Sequence, residues 1–399
     1  MTLENIQFKQ GVVKDGTRYT NKGGWYDSDK VRFRYGFPEK IGGWEKEIYY
    51  GLDAAGDLDT SAAAKVQGTP KQIVPWRGID GTDRIAIGTD THLYIMKNST
   101  IFDITPLRKT TSNLTNPLAT ADGSTTITCT DNSHGAFDGD FIVINSATAT
   151  GGITADTLNS KQGYQLTKVD NNSYTIDVGT DATSSVASGG GTTIDISYLI
   201  GSEAGVGNVS ADPALGWGVG AWGDSTWGTA RSGTSSDISL EPTNWSLVLW
   251  GEDLIFNNRE GRIYYWDLSD GETTREGLVS AESGASAVPS NVRCLRVSFP
   301  DRHLIAAGAV PLGESIIDPM LVRLSTQEDF TIFQPTTENT AGDQRLEVGT
   351  KIVAITPTRD ETFIQTDEAA YGMTFIGPPF TFGFRLLGVN CGAAALHAT

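Results

Sequence analysis

The sequence predicts an all-β protein, a partial β-propeller interrupted by a small inserted β-sandwich or barrel module. Composition is the first reason. Gly is abundant at 46 of 399 residues, and Thr and Ser recur between short apolar runs, while Ala-, Leu-, Glu- and Lys-rich stretches of helical length are missing. Such a chain builds short strands joined by turns. Aromatics at 9%, with nine Trp among them, imply a real core rather than a disordered chain. The second reason is a hairpin motif that recurs four times, and the third is one segment whose charge differs from everything around it.

Residues 1–50 carry nine Lys or Arg against seven Asp or Glu, a net of +2 in a chain that totals −18. Within them Val31-Arg32-Phe33-Arg34-Tyr35 alternates apolar and basic side chains, the pattern of a half-buried strand. Gly36-Phe37-Pro38 and Gly42-Gly43 supply turns beyond it. Residues 54–64 are small and polar and read as a loop.

The hairpin motif is a β-rich run, a polar turn, and a second run that usually holds an aromatic residue. Its copies pair Ile85–Ile87 with Leu93–Met96, Leu254–Phe256 with Arg262–Trp266, Leu304–Ala306 with Met320–Leu324, and Thr362–Ile364 with Ala369–Met373. Each reads as the inner part of a propeller blade. Copies two, three and four begin 50 and then 58 residues apart, close to the roughly 40–50 residues of blade repeats. The first gap is 169 residues, so something is inserted there.

The insert is residues 111–200, with two Lys, no Arg, no Glu and nine Asp. Short alternating runs at Thr126–Cys129, Asp140–Ile144, Tyr164–Leu166, Ser173–Ile176 and Ile194–Tyr198 are separated by Asp-Gly, Gly-Gly and Asn-Asn turns, which predicts a small β-sandwich or barrel. Residues 201–240 follow, with Trp217, Trp222 and Trp227 five apart between glycines. That period fits neither a helix face nor a strand face, so a Gly-turned loop with aromatic anchors is expected, buried against a partner chain or against its own propeller. The organisation is then N-terminal strands and first blade over 1–110, the acidic module over 111–200, the Gly/Trp segment over 201–240, and further blades, incomplete at the C-terminus, over 241–399.

Charge narrows the function classes. A protein that grips DNA neutralises phosphates with Lys and Arg, typically roughly 6–10 of them; a pI near 4.6 argues against such a surface. Acidity suits solubility, and it also suits a wall past which DNA slides without sticking. Cys129, Cys294 and Cys391 are far apart and odd in number, so no disulfide framework or metal pair is expected. The N-terminus shows no secretion pattern, and no apolar run approaches the roughly 18 residues of a membrane span.

Chemistry-bearing residues are sparse. His92, His134, His303 and His397 lie in four segments without metal-ligand spacing, and His92 and His134 read as turn residues. No nucleophile elbow, zinc motif or P-loop occurs. Asp138/Asp140 and Asp267/Asp270 are carboxylate pairs of the type a glycosidase uses, yet they sit in turn contexts where Asp bonds its own backbone. Calcium at Asp138/Asp140 lacks the spacing of an oxygen cage. No catalytic, cofactor or metal residues are therefore assigned, and no enzyme activity is expected. Arg32 and Arg34 share a strand face, with Asp27, Asp29 and Glu39 near in sequence; they pair within the chain or dock on an acidic partner. Tyr164 and Tyr174, if exposed, would offer the insert a glycan-binding surface.

The order and wording of several motifs resemble the nozzle or tail-tube-like proteins of podoviruses, the short-tailed bacteriophages. They include Asp15–Tyr19, Gly24–Asp29, Val31–Arg34, Pro38–Trp44, Ile101–Leu107, Trp250–Leu254, Tyr264–Asp267, Asp301–His303, Asp318–Arg323, Asn339–Gly342 and Gly377–Phe380. The resemblance covers most of 1–110 and 201–395; the module at 111–200 is similar to β-modules inserted in many phage tail proteins. It implies a virion protein assembled in the bacterial cytoplasm: a hexameric ring at the distal end of the tail, below portal and adaptor, through which DNA is ejected and around which fibres attach. A host-receptor or glycan-binding module, and then a propeller glycosidase, are the alternatives. Members of the family continue beyond Gly388–Gly392 into further blades. A chain ending at Thr399 is then a fragment or a shortened relative, and a closed propeller is not expected of it alone.

Overall fold

A computed structural model describes residues 11–12, 14, 17, 19, 24–35, 37–41, 49–52, 58–63, 65–202, 243–275, 277–298, 301–377 and 381–397. The chain divides into two units, Met1–Tyr49 and Tyr50–Thr399, so residues 1–110 hold a separate N-terminal body as well as the first blade. In the smaller unit Val31–Arg34 and Phe37–Lys40 form an antiparallel hairpin. Val31 and Phe33 are half-buried while Arg32 and Arg34 are exposed, as the alternation predicts. Phe33 packs edge-on against Trp25 at 6.0 Å.

The larger unit is all-β with propeller-type blades. Blade one runs through Pro70–Arg77, Asp83–Thr89, Leu93–Lys97 and Thr100–Asp103, each strand antiparallel to the last. Tyr50–Leu52 extends it, pairing parallel with the fourth strand through Tyr50 and Thr100, and Leu58–Ala63 pairs outside that. The loop expected over 54–64 thus contains a strand. Small polar residues hid it, because an added edge strand needs backbone pairing rather than a buried face. Blade two is Trp245–Trp250, Asp253–Asn258, Tyr264–Trp266 and Gly277–Leu278. Blade three is Val292–Val297, Leu304–Ala309, Leu321–Leu324 and Gly342–Arg345. Blade four is Ile352–Pro357, Thr362–Thr366, Ala369–Phe375 and Phe382–Val389.

The four sequence hairpins are the second and third strands of these meanders. The strand before each hairpin is the one that packs beside its counterpart in the next blade. The blades stack face to face, and strand alternation decides which side chain serves which interface. In blade two, Leu254 and Phe256 pack towards blade one with Leu93, Ile95 and Trp245, whereas Ile255 packs towards blade three with Leu304 and Ala306. In blade three, Ile305 and Ala307 turn the other way, onto Ile355 and Ile364 of blade four. Every residue of Leu304–Ala309 is buried; a strand covered on both faces reads as a continuous apolar run.

Side chains tie each blade to the next first-strand region. The Gln72 amide meets Leu247, its Oε1 accepting the Leu247 N–H at 3.0 Å. The Asn257 side chain donates to the Val292 carbonyl at 2.7 Å, and the Arg296 Nε donates to the Ile355 carbonyl at 3.1 Å. Trp245 adds a bond from its indole N–H to the Thr89 carbonyl of blade one. Between blades one and two, the buried Arg84 holds Asp80 at 2.9 Å and Glu272 at 3.1 Å.

Blades one and four repeat one another in detail. Thr89 and Thr366 each accept the backbone N–H three residues on, from His92 and Ala369. The adjacent carboxylates, Asp90 and Asp367, accept the N–H of Thr69 at 2.7 Å and of Thr350 at 2.8 Å. Tyr94 and Tyr371 accept the N–H of Gln67 and Val348. Gly68 and Gly349 precede those threonines at φ +78° and +115°, where a Cβ would run into the Asp90 and Thr366 side chains. In both blades the carbonyl of that Asp lies close against a glycine beyond the fourth strand, Gly201 in one and Gly392 in the other. In blade four this glycine follows the fourth strand directly. In blade one the insert lies between them.

The insert is one eight-stranded antiparallel sheet, ordered Val186–Gly189, Leu118–Thr120, Thr126–Thr130, Ser173–Asp177, Tyr164–Lys168, Phe141–Asn145, Ile194–Leu199 and Leu107–Leu114. It curls around a single core of Leu118, Ile127, Ile142, Ile176, Ile196 and Tyr198 among others. The five predicted strands are present; Leu107–Leu114, Leu118–Thr120 and Val186–Gly189 complete the sheet. Of the expected Gly/Trp loop at 201–240, all but Gly201 and Ser202 lies outside the described residues.

Candidate functional site

In an up-and-down meander the start of the first strand, the end of the second, the start of the third and the end of the fourth share one end of the blade. The same backbone bond marks that end in every blade: Asp90 N–H to Thr69, Arg259 to Asn244, Val310 to Asn291 and Asp367 to Lys351. The insert leaves blade one after its fourth strand, so it too roots at this end.

Here a cavity of about 230 Å³ lies between blades two, three and four. Asn244 and Arg259 reach it from blade two, Arg293 and Cys294 from blade three, and Lys351 and Asp367 from blade four; residues 393–396 close one side. Its charged lining is therefore three cations and one carboxylate. Glu260 holds the Arg293 Nη1 at 2.8 Å and lies 3.7 Å from Arg259. The Asp367 carboxylate accepts the N–H groups of Thr350 and Lys351 and the Thr350 hydroxyl. Burial alone would raise its pKa, and these bonds outweigh it and hold the group below the usual carboxylate range. Burial lowers the pKa of Arg296, and partial desolvation of the otherwise exposed His397, together with the Arg296 charge, lowers that of His397. Burial pushes the Cys294 thiol up to about 11, so it is an apolar group here rather than a nucleophile.

A second cavity, about 280 Å³, occupies the same end of blade one where the insert meets it, lined by Gln67, Asp90 and Thr91 from the blade and Asp140, Phe141 and Gln165 from the insert. His92 stands beside this junction, stacked on Tyr94 at 5.4 Å and edge-on to Phe141 at 6.2 Å. Its Nδ1 meets the Thr91 hydroxyl at 2.7 Å, and burial lowers its pKa.

The other residues singled out from sequence have structural work. Asp267 and Asp270 do line one cleft of about 250 Å³ with Tyr265, Arg275 and Glu282. The Asp267 carboxylate, however, caps the short helix Leu268–Asp270 through the Ser269 N–H at 2.7 Å. Asp138 accepts the Lys168 N–H at 2.8 Å, and Asp140 accepts the Phe137 N–H at 2.9 Å and pairs with Arg108 at 3.2 Å. Both carboxylates fix one turn of the insert. Among the described residues no cluster of three or more metal-ligating groups occurs, and no helix is long and apolar enough to cross a membrane.

His134 follows the turn at 132–133 and plugs the core. It is fully buried, with Tyr174 edge-on at 5.2 Å and Tyr198 stacked at 5.9 Å. Its Nδ1 accepts the Ala136 N–H, which leaves Nε2–H to donate to the Asp170 carbonyl. His303 is buried between Asp301 at 3.0 Å and Thr340 at 2.9 Å. Tyr174 is buried in the insert core, and the half-buried Tyr164 donates its hydroxyl to the Thr157 carbonyl. Neither forms an exposed glycan surface, because alternation turns Tyr174 inward and the hydroxyl bond to Thr157 ties Tyr164 down. Arg32 pairs with its cross-strand partner Glu39 at 2.9 Å, while Arg34 lies over the Tyr35 ring at 5.5 Å. Cys129 and Cys294 are buried, and Cys391 is exposed.

The cavity cations Arg259, Arg293 and Lys351 were not singled out from sequence. Their signal is positional: Arg259 follows the second strand of its blade just as Asp90 and Asp367 follow theirs.

No protein-family model and no curated protein matches the chain. Among solved structures, the chain is similar to a phage phi92 endosialidase at 12% identity and TM-score 0.24, with 76% of this chain and 42% of that one covered. A GH93 α-L-arabinofuranosidase of Fusarium graminearum in complex with arabinobiose gives 11%, 0.26, and 82% of each chain. A Trypanosoma rangeli sialidase gives 12%, 0.21, and 85% against 56%. The chain thus spans under half the length of the phage protein. At these values the likenesses carry no argument about activity.

Proposed function

We propose that this chain is a non-enzymatic structural protein of a short phage tail, a nozzle-type subunit that assembles into a ring, conducts DNA without gripping it, and carries fibres or tip modules. The ordered motifs it shares with podovirus nozzle proteins support the reading, and so does an acidic balance of −18. The observation that carries it is where the chemistry-bearing residues of those motifs go. Within Asp301–His303, His303 bonds Asp301 and Thr340, and Asp301 also accepts the Ser298 hydroxyl at 2.9 Å. Within Asp318–Arg323, the buried Arg323 donates to the carbonyls of Val310, Ala287 and Phe333. Within Trp250–Leu254, Asp253 accepts the Tyr265 hydroxyl and the Leu268 N–H. These groups bond within and between the strands of their blades, as the buried polar groups of a scaffold do.

Mass photometry and negative-stain imaging of the full chain mixed with portal and adaptor proteins test the proposal. Ring-shaped oligomers that cap the adaptor are expected. A chain that stays monomeric and never joins a tail particle would overturn it.

A further inference from the structure

We propose that the N-terminal hairpin is an assembly arm that docks on the acidic insert of a second copy of this chain. The inference rests on the ring-forming reading above and names the surface that builds the ring. Val31–Arg34 and Phe37–Lys40 make a sheet of two strands, and a two-stranded hairpin by itself is marginally stable in water. On one face Val31 and Phe33 are half-buried, with Phe33 against Trp25. The turn and the second strand are open: Tyr35 is 88% exposed and Phe37 74%, and Ile41 beyond them is exposed too. Aromatic side chains of this kind are the anchors that protein interfaces use.

Charge selects the occupant. Residues 30–41 carry four cations against Glu39 alone, a net of +3. Arg32 is taken up by Glu39 at 2.9 Å, whereas Lys30, Arg34 and Lys40 are exposed and make no ion pair. Residues 50–399 carry −20, because residues 1–49 hold +2 of a total of −18. The insert concentrates that acidity. Its Asp122, Asp156, Asp170, Asp177 and Asp181 are all exposed, and none pairs with a cation. Val169 beside Asp170 is 63% exposed and Phe137 is exposed as well, so the acceptor offers apolar contacts among its carboxylates.

Such a contact joins different surfaces of two copies, and a heterologous contact generates a ring when its rotation closes. Pro38 lacks an N–H and blunts the second strand as an edge, so the arm docks through side chains rather than by strand addition. Nucleic acid is the weaker occupant. A net of +3 falls short of the roughly 6–10 phosphates that a DNA-gripping surface neutralises, and the acidic remainder of the chain repels a polyanion.

Photocross-linking tests the arm. Phe37 is replaced by benzoyl-phenylalanine in the full chain, and rings are assembled with portal and adaptor proteins from an equal mixture of isotope-labelled and unlabelled copies. Cross-linked peptides that join position 37 to residues 111–200 and mix the two isotopes are expected. Arg34→Glu combined with Lys40→Glu should weaken association about tenfold and reduce its salt dependence. Lys65→Glu, an exposed cation outside the hairpin, should leave association unchanged. Rings in which position 37 cross-links within its own copy, to another surface, to added duplex DNA or to nothing would overturn the arm and leave the nozzle reading standing. Unchanged association of the folded double variant would do the same. The cross-linking protein keeps every charge, so its result decides if the double variant fails to fold. A chain that never pairs with a second copy overturns both readings.

Discussion

The side-chain amide of Gln72 mimics a strand partner for Leu247: its Oε1 accepts the Leu247 N–H at 3.0 Å and its Nε2 donates to the Leu247 carbonyl at 3.4 Å. Adjacent blades meet face to face, so their first strands have no ladder between them, and one side chain supplies both bonds of a missing rung. Asn257 to Val292 and Arg296 to Ile355 continue the series with single bonds. The blade stack is held by apolar faces and aligned by these polar ties.

Replacing Gln72 tests the alignment. Gln72→Ala removes both partners of Leu247 and should cost about 1–2 kcal/mol in urea unfolding. Gln72→Glu keeps the acceptor for the N–H but turns a carboxylate oxygen towards the carbonyl, and should be at least as destabilising above pH 5. Equal stability of all three proteins would show that the apolar faces alone set the stacking.

Arg323 is buried and serves three carbonyls from separate segments, at Val310, Ala287 and Phe333. An ammonium cannot reproduce the planar fork. Arg323→Lys is therefore expected to destabilise blade three by about 3 kcal/mol, because buried carbonyls lose their donors. The shift in urea midpoint measures it, and a loss below about 0.5 kcal/mol would contradict the assigned role.

His92 predicts a pH dependence. Burial lowers its pKa in the folded chain, so the unfolded chain binds the proton more readily than the folded one. Stability from this group is then complete above the unfolded value of about 6.5 and is lost as pH falls below it. His397 contributes in the same direction. Unfolding free energies at pH 7.5 and 5.5 should show a drop that shrinks in His92→Gln. An unchanged drop would rule His92 out as a contributor.

The insert draws its core from Leu118 to Tyr198 alone. Its edge strand Leu107–Leu114 pairs with Ile194–Leu199 inside the module. Residues 105–201 expressed alone should unfold cooperatively with a β-type circular dichroism spectrum. The deletion that joins the fourth strand of blade one to Gly201 should leave blades two to four folded, since blade four makes the same passage directly to Gly392. A deleted chain that loses its β signal would show that the blades depend on the insert.

The all-β class, the four hairpins and five strands of the insert were legible in the sequence because each rests on local pattern: alternation at Val31–Arg34 and Thr126–Cys129, and turn chemistry at Asp-Gly and Asn-Asn; the charge change at 111 falls inside Leu107–Leu114, a strand of the insert's own sheet. What pattern could not reveal is anything that depends on which surfaces meet. Alternation puts Tyr174 on one face with Ile176, but only the curl of the sheet makes that face the core, beside His134. Residues 54–64 look like a loop, yet backbone pairing to Tyr50–Leu52 makes part of them a strand. Arg259, Arg293 and Lys351 are ordinary charges in three distant segments, and only the stacking of three blades brings them to one cavity. Sequence determined the elements because secondary structure follows local periodicity and turn residues. Tertiary structure decided the sites, because burial and convergence belong to contacts between segments that no local window contains.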